Sequence, residues 1–449
     1  NLSKITGMYP NLYYVFKDWF GVQWHALSFL NTFGLMVAIA FVVAAIVISL
    51  ELQRKEKLGL LSPREEFITV GKAASTADLI INFITGFLFG YKLIGLFFSK
   101  PEGISAQEYI FSRDGNFLGG LLIGALLLGL KWYDKNKQKL KAPERRSVRI
   151  WPHDRVGDII ILGLVFGILG AKLFDNLENW DEFIQDPIGR IFSASGLAFY
   201  GGLIAASIAI CWYGYKKGIK ITHLVDSAAP ALMIAYAVGR IGCQVSGDGD
   251  WGIYNSAYIS DEYGNISPAA PGDFEKKLQA NTSYFTEGKA LDTAGKLLYI
   301  TDRAYGTLEK VPHKSFIGPT FLPKKFFAYS FPQNVNKDGI VIPGNHEEHN
   351  RVLPSPVFPT SLYEFIICTI LFLILWAIRK SIKVPYVMFG IYLVLNGVER
   401  FFMELMRVNK LYNVAGMHLS QAEIIAICLV ISGIALIAYA YMKAKSLKA

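Results

Sequence analysis

LSFLNTFGLMVAIAFVVAAIVISL, residues 27–50, runs for 24 positions without a charged side chain. As a helix it would rise about 36 Å, more than the roughly 30 Å hydrocarbon core of a bilayer, so it reads as a membrane span. Eight further apolar segments lie near 78–98, 116–133, 157–176, 196–215, 223–245, 359–379, 385–405 and 421–442. The expected fold is an all-α polytopic membrane protein of about nine transmembrane helices. Composition agrees, since 52% hydrophobic and 18% charged residues over 449 positions exceed what the core of a soluble domain uses.

The formal charge of +9 does not point to nucleic acid, because the cations cluster in short segments between spans. Arg54, Lys55, Lys57 and Arg64 follow the first span, and Lys131 to Arg149 hold eight cations after the third. Lys216, Lys217 and Lys220, then Arg379, Lys380 and Lys383, then Lys443, Lys445 and Lys448 complete the series. The alternate loops carry only scattered charges such as Lys100, Arg113, Arg190 and Lys410. By the positive-inside rule the N-terminus is outside and the C-terminus cytoplasmic. Residues 1–23 are mixed and aromatic and show no cleavable signal; 1–26, with Tyr13, Tyr14, Phe16, Trp19, Phe20 and Trp24, read as an outer-surface aromatic segment or an ordinary helix before the first span. Cys211, Cys243, Cys368 and Cys428 fall within or at the ends of apolar runs and read as small hydrophobes, not as a disulfide framework or metal cluster.

An internal repeat organises the first half. Asp78, Gly90 and Lys92 recur as Asp158, Gly170 and Lys172; Ile110-Phe111-Ser112 recurs as Ile191-Phe192-Ser193. Gly119-Gly120-Leu121 recurs as Gly201-Gly202-Leu203, and Trp132-Tyr133 as Trp212-Tyr213. The spacing predicts a duplicated two-helix unit, with hairpins 70–135 and 150–215 inside a membrane region 27–252. Close packing of unrelated Gly-rich helices is the alternative. Leu118 stands where the second copy has Tyr200. Residues 253–355 are polar, aromatic and rich in Pro, Gly and Asn, and read as an inserted extracytoplasmic domain before the last three spans, 356–449. Within it His346-Glu347-Glu348-His349 lacks the spacing of a helical zinc motif and reads as a solvated loop.

Ionisable groups inside a membrane are costly and seldom face lipid, so they mark the chemistry. With the orientation above, Arg240, Glu399, Arg400, Glu404, Tyr200, Lys172 and Tyr363-Glu364 share the outer leaflet. The stretch Gly239-Arg240-Ile241-Gly242-Cys243-Gln244-Val245-Ser246-Gly247-Asp248-Gly249-Asp250-Trp251-Gly252 ends a span in glycines that permit close backbone approach. Arginine offers a planar donor fork suited to phosphate, and a phospholipid headgroup is the natural anion at this depth.

These residues resemble the prolipoprotein diacylglyceryl transferase family. Gly239-Arg240-Ile241-Gly242 with Gly247 and Gly252 is similar to its Gly-Arg-x-Gly-Asn-Phe-x-Asn-Gly-Glu-x-x-Gly signature, with Cys243, Ser246 and Asp248 in place of Asn, Asn and Glu and one extra residue before Trp251-Gly252. Phe33-Gly34-Leu35-Met36, Phe199-Tyr200-Gly201-Gly202-Leu203-Ile204, Phe358-Pro359-Thr360-Ser361-Leu362-Tyr363-Glu364 and Val398-Glu399-Arg400 through Glu404 to Arg407 are similar to its other motifs. The second and third spans and most of 253–355 are additions to a seven-span plan. The resemblance implies transfer of diacylglyceryl from phosphatidylglycerol to the lipobox cysteine thiol of a preprolipoprotein, releasing glycerol phosphate, at the outer leaflet of a bacterial inner membrane. It assigns Arg240 to the lipid phosphate, and Arg400 to phosphate stabilisation and to favouring the thiolate. Glu404, Arg407, Asp248 and Glu364 would hold them in place. Gly201, Gly202, Gly239, Gly242, Ser246, Gly252, Tyr363 and Lys172 are expected to line the substrate. Tyr200 stands where many relatives have a His base, Phe33 lacks the hydroxyl of the family's Tyr, and Cys243 reads as structural. No metal or organic cofactor is expected. A transporter would continue its polar residues to the cytoplasmic face; a non-catalytic scaffold would tolerate loss of Arg240 and Arg400.

Overall fold

The computed structural model describes residues 8–99, 109–110, 112–192, 198–249, 251–291, 297–300, 304–408, 411–414 and 417–446. Lys100, Phe111, Ser193, Asp250, Lys410, Lys448 and residues 1–7 of the aromatic segment lie outside them. The main elements in chain order are α1 (Leu12–Phe20), α2 (Thr32–Lys57), β1 (Arg64–Val70), α3 (Thr76–Phe98), α4 (Phe117–Lys137), β2 (Glu144–Ile150) and α5 (Val156–Glu178). They continue with α6 (Phe199–Lys216), α7 (Ile221–Ser246), α8 (Thr360–Ile378), α9 (Val387–Glu404) and α10 (Gln421–Ser446). Among the described residues, seven helices are long and apolar enough to cross a membrane: α2, α3, α4, α5 with its leading turn from Pro152, α7, α8 and α10. The protein is thus mostly helical and polytopic. The other two helices in the expected series, α6 and α9, have 18 residues each; α9 is made less apolar by Glu399, Arg400 and Glu404.

The chain divides into two compact units, residues 49–224 and residues 1–48 with 225–449. In the first, two helical hairpins repeat one packing scheme. Ser75 and Asp78 form a reciprocal capping box at the start of α3, and the Asn116 side chain accepts from Gly119 N at the start of α4. A Cβ at Gly90 would lie 2.4 Å from the Gly119 carbonyl oxygen and beside Ile123; one at Gly170 would lie 2.5 Å from the Gly201 carbonyl oxygen and beside Ala205. Gly119 faces Ile94 as Gly201 faces Phe174, and Gly120 faces Phe87 as Gly202 faces Gly167. These small residues let two backbones cross in contact. Gly90→Ala and Gly170→Ala are each expected to lower stability by about 1–3 kcal/mol through overpacking. Gly129→Ala, where nothing lies within 4 Å, should be neutral or stabilising by up to about 1 kcal/mol. Thermal unfolding in detergent separates the two outcomes.

The unit also holds a two-stranded ribbon. β1 and β2 pair antiparallel from Arg64↔Ile150 to Val70↔Glu144, closing α3 and α4 into a loop of their own. Arg155 after the ribbon is buried and donates to Glu66 at 2.7 Å, so the ribbon is tied to the start of α5.

In the second unit, α7 and α9 are fixed at matching points. The Asp226 carboxylate accepts from Tyr386 N at 2.9 Å and Phe389 N at 3.0 Å, capping α9, which has no cap from its own sequence. Arg240 and Arg400 each follow 14 residues later, about 21 Å along either helix. The two helices therefore run in the same direction and bring both arginines to one level. Between 251 and 358 the described residues pack on a core of Trp251, Tyr254, Phe274, Leu278, Tyr284, Phe285, Val311, Tyr329, Phe331, Leu353 and Val357, which Met8 also joins, termed the small domain. Its strands are two to three residues long where fully described, so side chains rather than ladders hold it. The N-terminal aromatic segment packs here: Tyr13 and Tyr14 are buried, Tyr14 meets His349, and Lys17 pairs with Glu347. Glu348 pairs with Lys337 and His349 is buried, so Glu347–His349 are engaged in ion pairs and a ring contact and are not the freely solvated loop expected from the sequence.

Candidate functional site

Glu364, one turn into α8, has no solvent exposure and is the centre of the site. Arg240 Nε lies 2.9 Å from its Oε2, and Arg407 Nη2 donates to the same oxygen at 2.9 Å. Arg400 Nη1 and the Tyr236 hydroxyl each donate to Oε1 at 3.2 Å. A buried carboxylate persists in an apolar bundle only when its lone pairs are met by charged donors, and here three guanidinium groups meet them. Arg400 continues to Glu404 at 3.1 Å, and Glu404 accepts from Ser420 Oγ at 2.8 Å. Ser420 in turn forms a capping box with Glu423 at the start of α10. The chain of contacts thus runs from α7 through α8 and α9 to α10.

The structure joins the sequence candidates Arg240, Glu364, Arg400, Glu404 and Arg407 in one cluster. Two members were not singled out. Tyr236 precedes Arg240 by one helical turn, and its ring lies 5.2 Å from the guanidinium carbon, an i,i+4 contact available from spacing alone. Ser420 could be found from its spacing to Glu423. Glu399 behaves differently from the other two glutamates: it is buried outside the ion pairs of the arginine cluster, and the Cys368 thiol is its hydrogen-bonding neighbour.

The glycine-rich turn is used mostly for packing. Gly242 is backed by Met36, and Gly252 donates to the Phe358 carbonyl at 2.9 Å and is crowded by Met406 and Thr360. Ser246 is fully buried and donates to the Gly242 carbonyl at 2.9 Å. Gly247, at φ +70°, closes the helix so that Asp248 N reaches the Cys243 carbonyl at 3.1 Å. Only Gly239, among the glycines expected to meet substrate, has open space where a Cβ would stand. Gly201 and Gly202 open α6 in the other unit, where Phe174, Gly167 and Ala171 occupy the space beside them. Tyr200 packs edge-on against Phe199, and Lys172 stands near Asp175 and Arg190 in that same unit. Tyr363 donates to the Phe326 carbonyl at 2.6 Å, which joins α8 to the small domain.

Comparison with known proteins points to one family. A family model described as prolipoprotein diacylglyceryl transferase matches residues 119–439. Proteins named phosphatidylglycerol–prolipoprotein diacylglyceryl transferase are similar over shorter stretches. One from Leptospira interrogans is 34% identical over 124 residues, 22% of this chain and 39% of the relative. One from Dehalococcoides mccartyi is 32% identical over 119 residues, 26% and 45% of the two chains, and one from Enterococcus faecalis is 35% identical over 100 residues, 22% and 36%. The aligned stretch spans less than half the length of each of these relatives. The extent of the family match, together with charged groups gathered where the family's motifs fall, establishes that the chain belongs to the prolipoprotein diacylglyceryl transferase family.

Proposed function

We propose that this chain transfers diacylglyceryl from phosphatidylglycerol to the thiol of the lipobox cysteine of a preprolipoprotein. The observation that carries this reading is the fully buried Glu364 held by Arg240, Arg400 and Arg407. In the reaction the thiolate sulfur attacks the glyceryl carbon bound to the phosphate oxygen. The C–S bond forms as that C–O bond breaks, the electron pair stays on the phosphate oxygen, and glycerol phosphate leaves. Negative charge therefore grows on phosphate, and fixed cations there lower the barrier. Three guanidinium groups, those of Arg240, Arg400 and Arg407, are gathered at Glu364, a concentration of positive charge suited to a phosphate anion.

Arg240 takes the lipid phosphate, beside the open space at Gly239, and Arg400 takes the growing charge and favours the thiolate. Arg407, Glu364, Glu404 and Asp248 act as positioning residues. Gly242, Ser246, Gly252 and Tyr363 shape the walls through packing, and Tyr200, at the position where many relatives carry His, is the candidate base for the thiol. The charge alternation of the loops supports nine spans with the N-terminus outside and the C-terminus cytoplasmic, with the site towards the outer leaflet and 253–355 extracytoplasmic; a bacterial inner membrane is inferred from the family. The matched glycine contacts of the two hairpins support the duplication of 70–135 and 150–215.

The test is a mobility-shift assay with purified protein, phosphatidylglycerol and a lipobox peptide bearing Cys or Ser. A lipidated Cys peptide with no product from Ser is expected; no product from Cys despite bound phospholipid overturns the reading in favour of a scaffold or transporter. Tyr200→His, which restores the side chain common in the family, should keep transfer and move its rising pH limb downward. A base works only when deprotonated, and the unperturbed imidazole titrates about 3.5 units below the phenol, near 6.5 against 10. A rate profile from pH 5 to 10 reads the shift.

A further inference from the structure

Residues 316–327 of the small domain, Phe316-Ile317-Gly318-Pro319-Thr320-Phe321-Leu322-Pro323-Lys324-Lys325-Phe326-Phe327, form a 12-residue loop whose ends are tied to one buried side chain. Asn255 has no exposure; its Nδ2 donates to the Phe316 carbonyl at 2.9 Å and the Phe327 carbonyl at 3.0 Å, while its Oδ1 accepts from Phe316 N at 3.1 Å. The Phe316 and Phe327 rings meet at 5.6 Å, and Gly318 lies so close to Phe327 that a Cβ would overlap its ring. The neck is therefore rigid, yet the tip presents its largest apolar side chains outward: Phe321 is 81% exposed and Ile317 72%, with Phe316 and Leu322 beside them. A compact loop with closed ends and apolar residues facing out buries them against something else.

The position of the neck says what covers it. Tyr363 donates its hydroxyl to the Phe326 carbonyl at 2.6 Å, and Tyr363 is the fourth residue of α8, a helix apolar enough to cross a membrane. The loop thus leaves the domain within about one helical turn, roughly 5 Å, of the level at which α8 enters the bilayer. Its charge fits the same surface: from Lys310 to Lys337 the chain holds Lys314, Lys324 and Lys325 between them and no Asp or Glu. Apolar side chains at the acyl boundary with lysines at the headgroups is how a peripheral segment lies in a membrane interface.

We propose that this loop inserts Ile317, Phe321 and Leu322 into the bilayer surface beside α8, with Lys314 and Lys324 against anionic headgroups. The rigid neck presents the tip without ordering cost, and Glu364 follows Tyr363 in α8, so the inserted loop borders the lipid next to the arginine site. The proposal does not depend on the transfer reaction.

The test uses the full chain in nanodiscs of equal phosphatidylglycerol and phosphatidylethanolamine, with p-benzoylphenylalanine placed at Phe321, where high exposure leaves the fold undisturbed. Irradiation should add the mass of one phospholipid to the protein, with phosphatidylglycerol enriched among the adducts. Lys314→Glu with Lys324→Glu should remove the enrichment and leave the adducts. Crosslinks to a second copy, or an unreacted label, overturn insertion; adducts that mirror the bulk lipid ratio before the lysines are changed overturn the headgroup contact.

Discussion

Glu364→Gln is expected to cost the fold about 3–5 kcal/mol, the usual effect of removing one partner of a buried charge cluster. The glutamine keeps the shape and loses the charge, so Arg240, Arg400 and Arg407 would be left to repel one another around a neutral amide. The Tyr236 hydroxyl, which donates to Oε1, would also lose a charged acceptor. In detergent the variant should unfold at a clearly lower temperature and give little monodisperse protein on size exclusion. Part of the loss should return in Glu364→Gln with Arg407→Gln, because the second change removes one of the three stranded cations and leaves an amide able to pair with the first. A double-mutant cycle measures that return, and a coupling near zero would show that Glu364 does not hold the cluster together. The same reasoning separates Glu404. Its ion pair with Arg400 is backed by a neutral donor, Ser420, so Glu404→Gln should cost less than Glu364→Gln.

The residues that carry the charge cluster are legible in the sequence because charge in an apolar run is rare and expensive. Arg240, Glu364, Arg400, Glu404 and Arg407 stand out on that ground alone, and the structure joins them. What cannot be read is the wiring. Nothing in the spacing says that Glu364 is the common partner of three arginines, or that Glu399, adjacent to Arg400, has the Cys368 thiol as its neighbour. Those outcomes depend on the rotation of α9 about its axis. Asp226 fixes that rotation from a different helix, through Tyr386 N and Phe389 N. The glycines mislead for a related reason. A glycine where a ligand must approach and one where two helices must cross are identical in sequence, and at Gly201, Gly202, Gly242 and Gly252 the space is taken by protein. The β1–β2 ribbon is legible only in hindsight, since its strands are highly charged and bury no alternating face. The small domain resists reading altogether, because its core joins residues as distant as Met8 and Val357 with almost no regular ladder.

Arg400→Ala should lower the rate of transfer by about 10²–10³-fold, the scale of one preorganised donor at a developing charge, while phosphatidylglycerol still binds. Arg240→Ala should instead act mainly on KM for the lipid. The distinction follows from where each guanidinium is anchored. Arg400 spans Glu364 at 3.2 Å and Glu404 at 3.1 Å, a fork held from two sides and so unable to follow a ground-state headgroup. Arg240 meets Glu364 through Nε and its Nη1 contacts the Cys243 sulfur at 3.9 Å, whereas Arg400 is anchored on two carboxylates. Arg400→Lys sharpens the test, because a lysine keeps the positive charge but cannot reach both carboxylates with a planar fork. If charge alone matters, the lysine variant should recover most of the activity; if orientation matters, it should resemble Arg400→Ala in kcat while its lipid affinity stays near that of the parent. The second outcome is expected, because a cation that relaxes towards the substrate in the ground state has less left to offer when the C–O bond breaks. Equal losses in kcat and lipid affinity for both arginines would mean that they form one binding site with no division of labour, and would remove Arg400 from the chemical step.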